Sequence, residues 1–273
     1  MPASALALAL GAAALHAAWN VLLARARDVR AATTVALCLG VVAFAPLAAA
    51  TWRVELAAVP WIALSSVLEI LYFLLLTTAY ARSDLSLVYP IARGVAPVLV
   101  LVGASVTGAV IGGWQAIGVV LVGGGVVLVR GARGPVDGVG VALSLAIAGT
   151  IAAYTLVDKQ GIEHASAVAY LELVLVPVAV AALLLHVLTG TSASVRAEIG
   201  PATIAAAVCS FLAYALALGA LSLAPAAAVA AVRETSILIA VALAVFVLRE
   251  PVGRERALGA ALVVLGVGLV AAA

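Results

Sequence analysis

The sequence predicts an all-α polytopic membrane protein, with ten transmembrane helices arranged as two inverted five-helix repeats. Three observations predict it. Of 273 residues, 67% are hydrophobic and only 10% are charged, a balance no soluble domain of this length shows. Apolar runs near 20 residues recur between short polar breaks, which is the signature of membrane-spanning helices. Last, the two halves share one register. A shift of 141 residues carries Pro60 onto Pro201, Gly112 onto Gly253, Gly118 onto Gly259 and Gly125 onto Gly266. Five spans per half is an odd number, so the second half must sit upside down relative to the first. Inverted repeats of this kind build many secondary transporters, with the site at their interface near the bilayer midplane.

The spans follow in order at 4–24, 31–51, 60–80, 85–107 and 114–130, then 138–157, 165–188, 201–221, 224–248 and 257–273. Pro60 stands in the first turn of span 3, where a missing N–H costs little. Residues 1–130 form the first repeat, 131–137 the turn-rich inter-repeat loop and 138–273 the second repeat. The seven-residue spacing of Gly118 and Gly125, repeated by Gly259 and Gly266, puts each pair on one helix face suited to tight packing. Aromatics make up only 5%, so small and aliphatic residues form the bulk. Cys38 and Cys209 fall inside spans and read as buried free thiols. The N-terminus has no basic region and no cleavage site, so it reads as the first span.

Thirteen of the fourteen basic residues are arginine, which together with the alanine content points to a GC-rich bacterial genome. Ten of them stand in the loops after spans 1, 3, 5, 7 and 9: Arg25, Arg27, Arg30, Arg82, Arg130, Arg133, Arg196, Arg249, Arg254 and Arg256. The other side has Arg53 and Lys159. By the positive-inside rule the odd loops are cytoplasmic and both termini are outside. Trp52, Trp61 and Trp114 sit at span ends as interfacial anchors. The net charge of +2 is scattered, which excludes a nucleic-acid patch.

Charges inside the spans carry the functional expectation. Arg93 lies halfway along span 4 between Pro90 and Pro97. An arginine at bilayer depth costs about 2.5–3.5 kcal/mol on insertion scales, so it faces a partner or a ligand. Glu69 lies near the centre of span 3, with Tyr72 on the same side. Spans 3 and 4 join by a tight turn, and both charges lie about ten residues from it, so a Glu69–Arg93 pair is expected. Arg233 and Glu234 are adjacent in span 9, and the 141-residue shift sets Arg93 against Glu234. Neighbouring residues on a helix diverge by about 100°, so one faces the cavity and the other a neighbouring helix. His16 and Asn20 share a face of span 1, with Trp19 beside them; His16 is either a proton relay or a hydrogen-bonding structural residue. Tyr89, Tyr154 and Tyr214 are deep enough to line a cavity with Tyr72. Glu172 faces a cavity or the interface. Asp158 and Lys159 end span 6 at the surface, and His186 is poorly placed for chemistry. Soluble-enzyme and phosphate-binding motifs are missing, and three dispersed histidines make a metal site unexpected.

The segments LHAAWNVLLARA in span 1, IAAYTLVDKQG in span 6 and VYPIARGVAPVLV in span 4 carry a family resemblance, as does the ending LREPVGRERALGAALVVLGVGLV. Together they resemble the EamA-type branch of the drug/metabolite transporter superfamily, over essentially the whole chain. The first half departs from the pattern, with Ala109 where Glu250 stands in the second. The resemblance implies a secondary active transporter of the inner membrane, working by alternating access around a cavity lined by spans 1, 3, 4, 6, 8 and 9. It implies secondary transporters, often exporters, of amino acids, other small metabolites or drugs, and with the charges inside the spans the expectation is a proton-coupled exporter of amino acids or similar small metabolites. The alternatives are an exchanger of phosphorylated or carboxylated anions and a flippase for lipid-linked substrates. Arg93 and Arg233 would attract an anionic group, and Glu69 or Glu234 would carry a proton or meet an ammonium. Members are usually drawn with both termini cytoplasmic, opposite to the charge count here. No cofactor, no enzymatic activity and a monomer are expected. A membrane enzyme acting on lipid phosphate would instead cluster its charges near an interface.

Overall fold

The computed structural model describes every residue except Arg25, Asp84, 131–136 and 247–252. Most of the inter-repeat loop, the loop cations Arg25, Arg133 and Arg249, and Glu250 therefore lie outside the described residues. The helices are α1 (Ala3–Leu23), α2 (Val29–Ala50), α3 (Val59–Arg82), α4 (Leu85–Val106), α5 (Gly113–Arg130) and α6 (Gly138–Gly161). They continue as α7 (Ala167–Leu188), α8 (Ser192–Ala197), α9 (Pro201–Leu223), α10 (Ala226–Arg233), α11 (Ser236–Phe246) and α12 (Arg254–Ala272). Eight helices are long and apolar enough to cross a membrane, and α5 is a shorter apolar helix. The protein is an all-α polytopic membrane protein, as the sequence predicts.

Local chemistry sets the ends. Asp28 caps α2 by accepting from the Arg30 and Ala31 backbone N–H groups. Pro60 and Pro201 open α3 and α9, where no N–H is needed. The structure departs from three expectations. Span 6 does not stop at 157: α6 runs to Gly161, which places Asp158 inside it. Span 9 is not one helix but α10 and α11, because Glu234 and Thr235 bond three residues back, to Ala231 and Val232, instead of four. Cys38 and Cys209 are free thiols, though part-exposed rather than buried.

The core is a set of crossed helix pairs. α5 packs on α12, α1 on α9, α3 and α4 on α6, and α2 on α7. At the α5–α12 crossing a Cβ on Gly118 would lie 2.7 Å from the Gly266 carbonyl oxygen, and one on Gly125 2.7 Å from that of Gly259. The two helices are therefore antiparallel with their backbones in direct contact. The 141-residue shift exchanges these two contacts. Aliphatic side chains such as Val42, Val67, Val180 and Val264 are exposed on the outside, where lipid is the solvent.

At one end the α2–α3 and α6–α7 loops are zipped together. Val54 and Ala165 form an antiparallel bridge. The Glu55 N–H donates to the His164 carbonyl at 2.9 Å and the Ser166 N–H to the Arg53 carbonyl at 2.8 Å. The Ser166 hydroxyl adds a bond to the Thr51 carbonyl at 2.7 Å.

At the other end Asp137 caps α6, accepting from the Val139 and Gly140 N–H groups at 3.1 Å and from the Ser83 hydroxyl at 3.0 Å. The Val139 bond, then those of Ser83 and Gly140, hold its carboxyl below the ordinary aspartate value. A depressed carboxyl contributes stability above its ordinary value, and that contribution is lost as pH falls through the lowered one. We expect Asp137→Ala to lower the thermal midpoint at neutral pH. The gap to the unsubstituted protein should close in acid; a gap that does not change with pH would refute the assignment.

Candidate functional site

The break between α10 and α11 sits beside two part-buried cations, Arg93 and Arg233. Arg93 of α4 reaches Glu234 at the break, Nη2 to Oε1 at 3.0 Å, with side-chain exposures of 12% and 7%. The expected Glu69–Arg93 pair is thus replaced by Arg93–Glu234. The reason is the packing: α3 and α4 share a turn, but α6 packs against both and they touch little along their lengths.

Arg233 is adjacent in sequence and turned elsewhere. Among the described residues its guanidinium makes no ion pair or hydrogen bond. Its charge acts on Glu69, Asp158, Glu234 and His16. It is a half-buried cation facing three carboxyls without touching them.

The predicted tyrosines gather here. Tyr72 and Tyr154 meet edge-on at 6.1 Å between ring centroids, and Tyr154 and Tyr214 lie 6.3 Å apart. Tyr72, Tyr89 and Tyr154 all lie within the electrostatic reach of Arg93. His16 packs edge-on against Trp19 at 5.1 Å. Asn20 donates to the His16 carbonyl at 2.7 Å and so spends its amide on its own helix.

Glu69 faces Tyr214 of α9, whose hydroxyl lies 2.9 Å from Glu69 Oε1 and 2.6 Å from Asp158 Oδ2. Asp158 is the residue the sequence reading missed. Expected at the surface, it is 1% exposed. Its Oδ1 accepts from the Ser65 hydroxyl at 2.6 Å and the Tyr170 hydroxyl at 3.0 Å. The signal was present: Asp158 follows Tyr154 by four residues and so shares its inward face. Ser65 precedes Glu69 by four in the same way. Gly161, against which the Tyr170 ring packs, leaves room for that phenol to reach Asp158.

Other charges stand apart. Lys159 donates to the Leu221 and Ala224 carbonyls at the end of α9. Glu172 is buried in α7, with no hydrogen bond to its Oε2 among the described residues. His186 is buried at the end of α7 and bonds Thr191 at 2.8 Å.

A polytopic helical bundle with charged groups gathered in its interior is an arrangement that membrane transporters use. Residues 138–272 match the EamA-like transporter family. The chain belongs to the EamA-type branch of the drug/metabolite transporter superfamily. No curated protein matches it. Solved structures share the fold. One, described only as "Crystal structure of protein", superposes with a TM-score of 0.75 over 99% of both chains at 17% identity.

Proposed function

We propose that the chain is a proton-coupled exporter of amino acids or similar small metabolites in the bacterial inner membrane. Two inverted repeats, 1–130 and 138–273, would rock about the site as a monomer, with the arginine-rich odd loops cytoplasmic. The reciprocal glycine contacts of α5 and α12 support that division. So does the pairing of α1 with α9 and of α3 with α6, which the helix-for-helix correspondence interchanges.

The observation that carries the reading is the charge arrangement at mid-depth. Arg233 offers a cation without an ion pair among the described residues, suited to a substrate carboxylate. Glu234, whose one ion pair among the described residues is with Arg93, offers a carboxylate for which a substrate ammonium competes. Tyr72, Tyr154 and Tyr214 form the aromatic wall beside them. A proton driving the cycle is worth about 2.3 kcal/mol per 100 mV.

The test is uptake into proteoliposomes with a panel of amino acids and anionic metabolites, with and without a pH gradient. Arg233→Ala should raise the concentration for half-maximal uptake about 10- to 100-fold, the worth of one charge-assisted hydrogen bond. Uptake that ignores the gradient but demands internal counter-substrate would favour the anion exchanger, a reading the unpaired Arg233 also supports. Unchanged transport in Arg233→Ala would remove this residue from the site.

A further inference from the structure

The Tyr214 hydroxyl has one hydrogen and two carboxyl neighbours. Glu69 Oε1 lies 2.9 Å away and Asp158 Oδ2 2.6 Å away. That single hydrogen can serve one contact. The other would set two lone pairs against each other inside the protein unless the second carboxyl supplies a hydrogen of its own. The geometry thus requires one proton on the pair.

The surroundings say where it rests. Asp158 accepts two further donors, Ser65 and Tyr170, while the Tyr214 hydroxyl is the one hydrogen-bond partner of Glu69 among the described residues. Negative charge is best accommodated where more donors converge, at Asp158. The proton then sits on Glu69, pointing at the Tyr214 oxygen, and Tyr214 donates to Asp158.

The charge count agrees. Ionised Glu69, Asp158 and Glu234 against Arg93 and Arg233 would leave one uncompensated negative charge; one proton brings the five groups to neutrality, which a low-dielectric interior favours. The groups facing the pair are Ser65 from α3, Tyr154 from α6, Tyr170 from α7, Arg233 from α10 and, beyond it, Arg93 from α4. Lys159, next to Asp158, turns away to the carbonyls of α9.

We propose that Glu69 and Asp158 share one proton through Tyr214, and that this carboxyl pair, rather than Glu234, holds the coupling proton of the transport cycle. Transfer is balanced. The Glu69 O–H bond breaks as its proton joins the Tyr214 oxygen, and the proton of Tyr214 passes to Asp158 Oδ2. The phenol is regenerated and the charge has moved from Asp158 to Glu69. The two carboxyls come from opposite halves of the chain, so rocking of the halves would make and break the bridge. This deepens the carrier reading and rests on it.

Two measurements on the full chain in phosphatidylethanolamine–phosphatidylglycerol vesicles test it. Infrared pH-difference spectroscopy should show a protonated-carboxyl band at neutral pH that is lost on alkaline titration. The band should vanish in the Glu69→Gln/Asp158→Asn double variant, persist in Glu172→Gln, and shift in Tyr214→Phe, which keeps the ring but removes the bridge. A band that survives the double variant overturns the shared proton. The second measurement drives the amino-acid panel with a one-unit pH gradient, worth about tenfold accumulation per proton. Asp158→Asn should reduce that accumulation to about onefold, with a smaller loss of counterflow, which needs no net proton movement. Full accumulation in Asp158→Asn overturns the coupling role. Because the infrared band needs no substrate, an intact band with no amino acid transported counts against the carrier reading and leaves the proton pair standing.

Discussion

Arg93→Ala is expected to abolish transport and to destabilise the folded chain by about 3–5 kcal/mol, the cost of stranding one member of a buried ion pair. The stranded group is Glu234, 7% exposed at the break between α10 and α11. Arg93→Met combined with Glu234→Leu removes both charges and fills similar volume. It should melt near the unsubstituted protein, since replacing a whole buried pair is often neutral or stabilising. Transport should nevertheless stay absent. Thermal unfolding of the purified protein separates the two contributions. A single variant as stable as the original would mean that the pair is solvated, and the deep-site reading would fall with it.

The second large effect is expected at the α5–α12 crossing. A Cβ at Gly259 would lie 2.6 Å from the Gly125 carbonyl oxygen, and one at Gly266 2.5 Å from that of Gly118. Neither obstacle is the end of a flexible side chain, so the helices must separate. Overpacking of this kind costs about 1–3 kcal/mol per site. Gly118→Val, whose branched side chain also meets Val270, should lie at the top of that range or above it. Gly124→Ala is the control, because nothing lies within 4 Å of its added Cβ. The readouts are yield of monodisperse protein and thermal midpoint. Equal behaviour of Gly118→Val and Gly124→Ala would contradict the close crossing.

Periodicity made the helices legible, since hydrophobic length is dictated by the bilayer rather than by partners. The glycine register was legible for the same reason that it matters: only small residues at fixed spacing allow two backbones to touch. The intramembrane charges drew notice because each is expensive where it stands. Their partners did not follow from the sequence. Glu69 and Arg93 share depth and a tight turn, and from those facts a pair is a sound deduction; it fails because α6 wedges between their helices, a tertiary fact. Asp158 was lost through a four-residue error at a helix end, where a polar run, DKQG, mimics a loop. The break at Glu234 left no proline or glycine in the sequence to announce it.

The zipped loops between α2 and α3 and between α6 and α7 have a thermodynamic consequence. Two backbone hydrogen bonds and one from Ser166 cross the seam, Val54 and the buried Ala165 pack into the core beside them, and the Glu55–His164 pair is too exposed to add much. At about 1 kcal/mol per bond the three bonds contribute roughly 3 kcal/mol to keeping this face closed. The hydrogen bonds between the two loops are made largely by backbone groups, so that part of the seam is insensitive to side-chain drift and would persist while the residues of the interior changed.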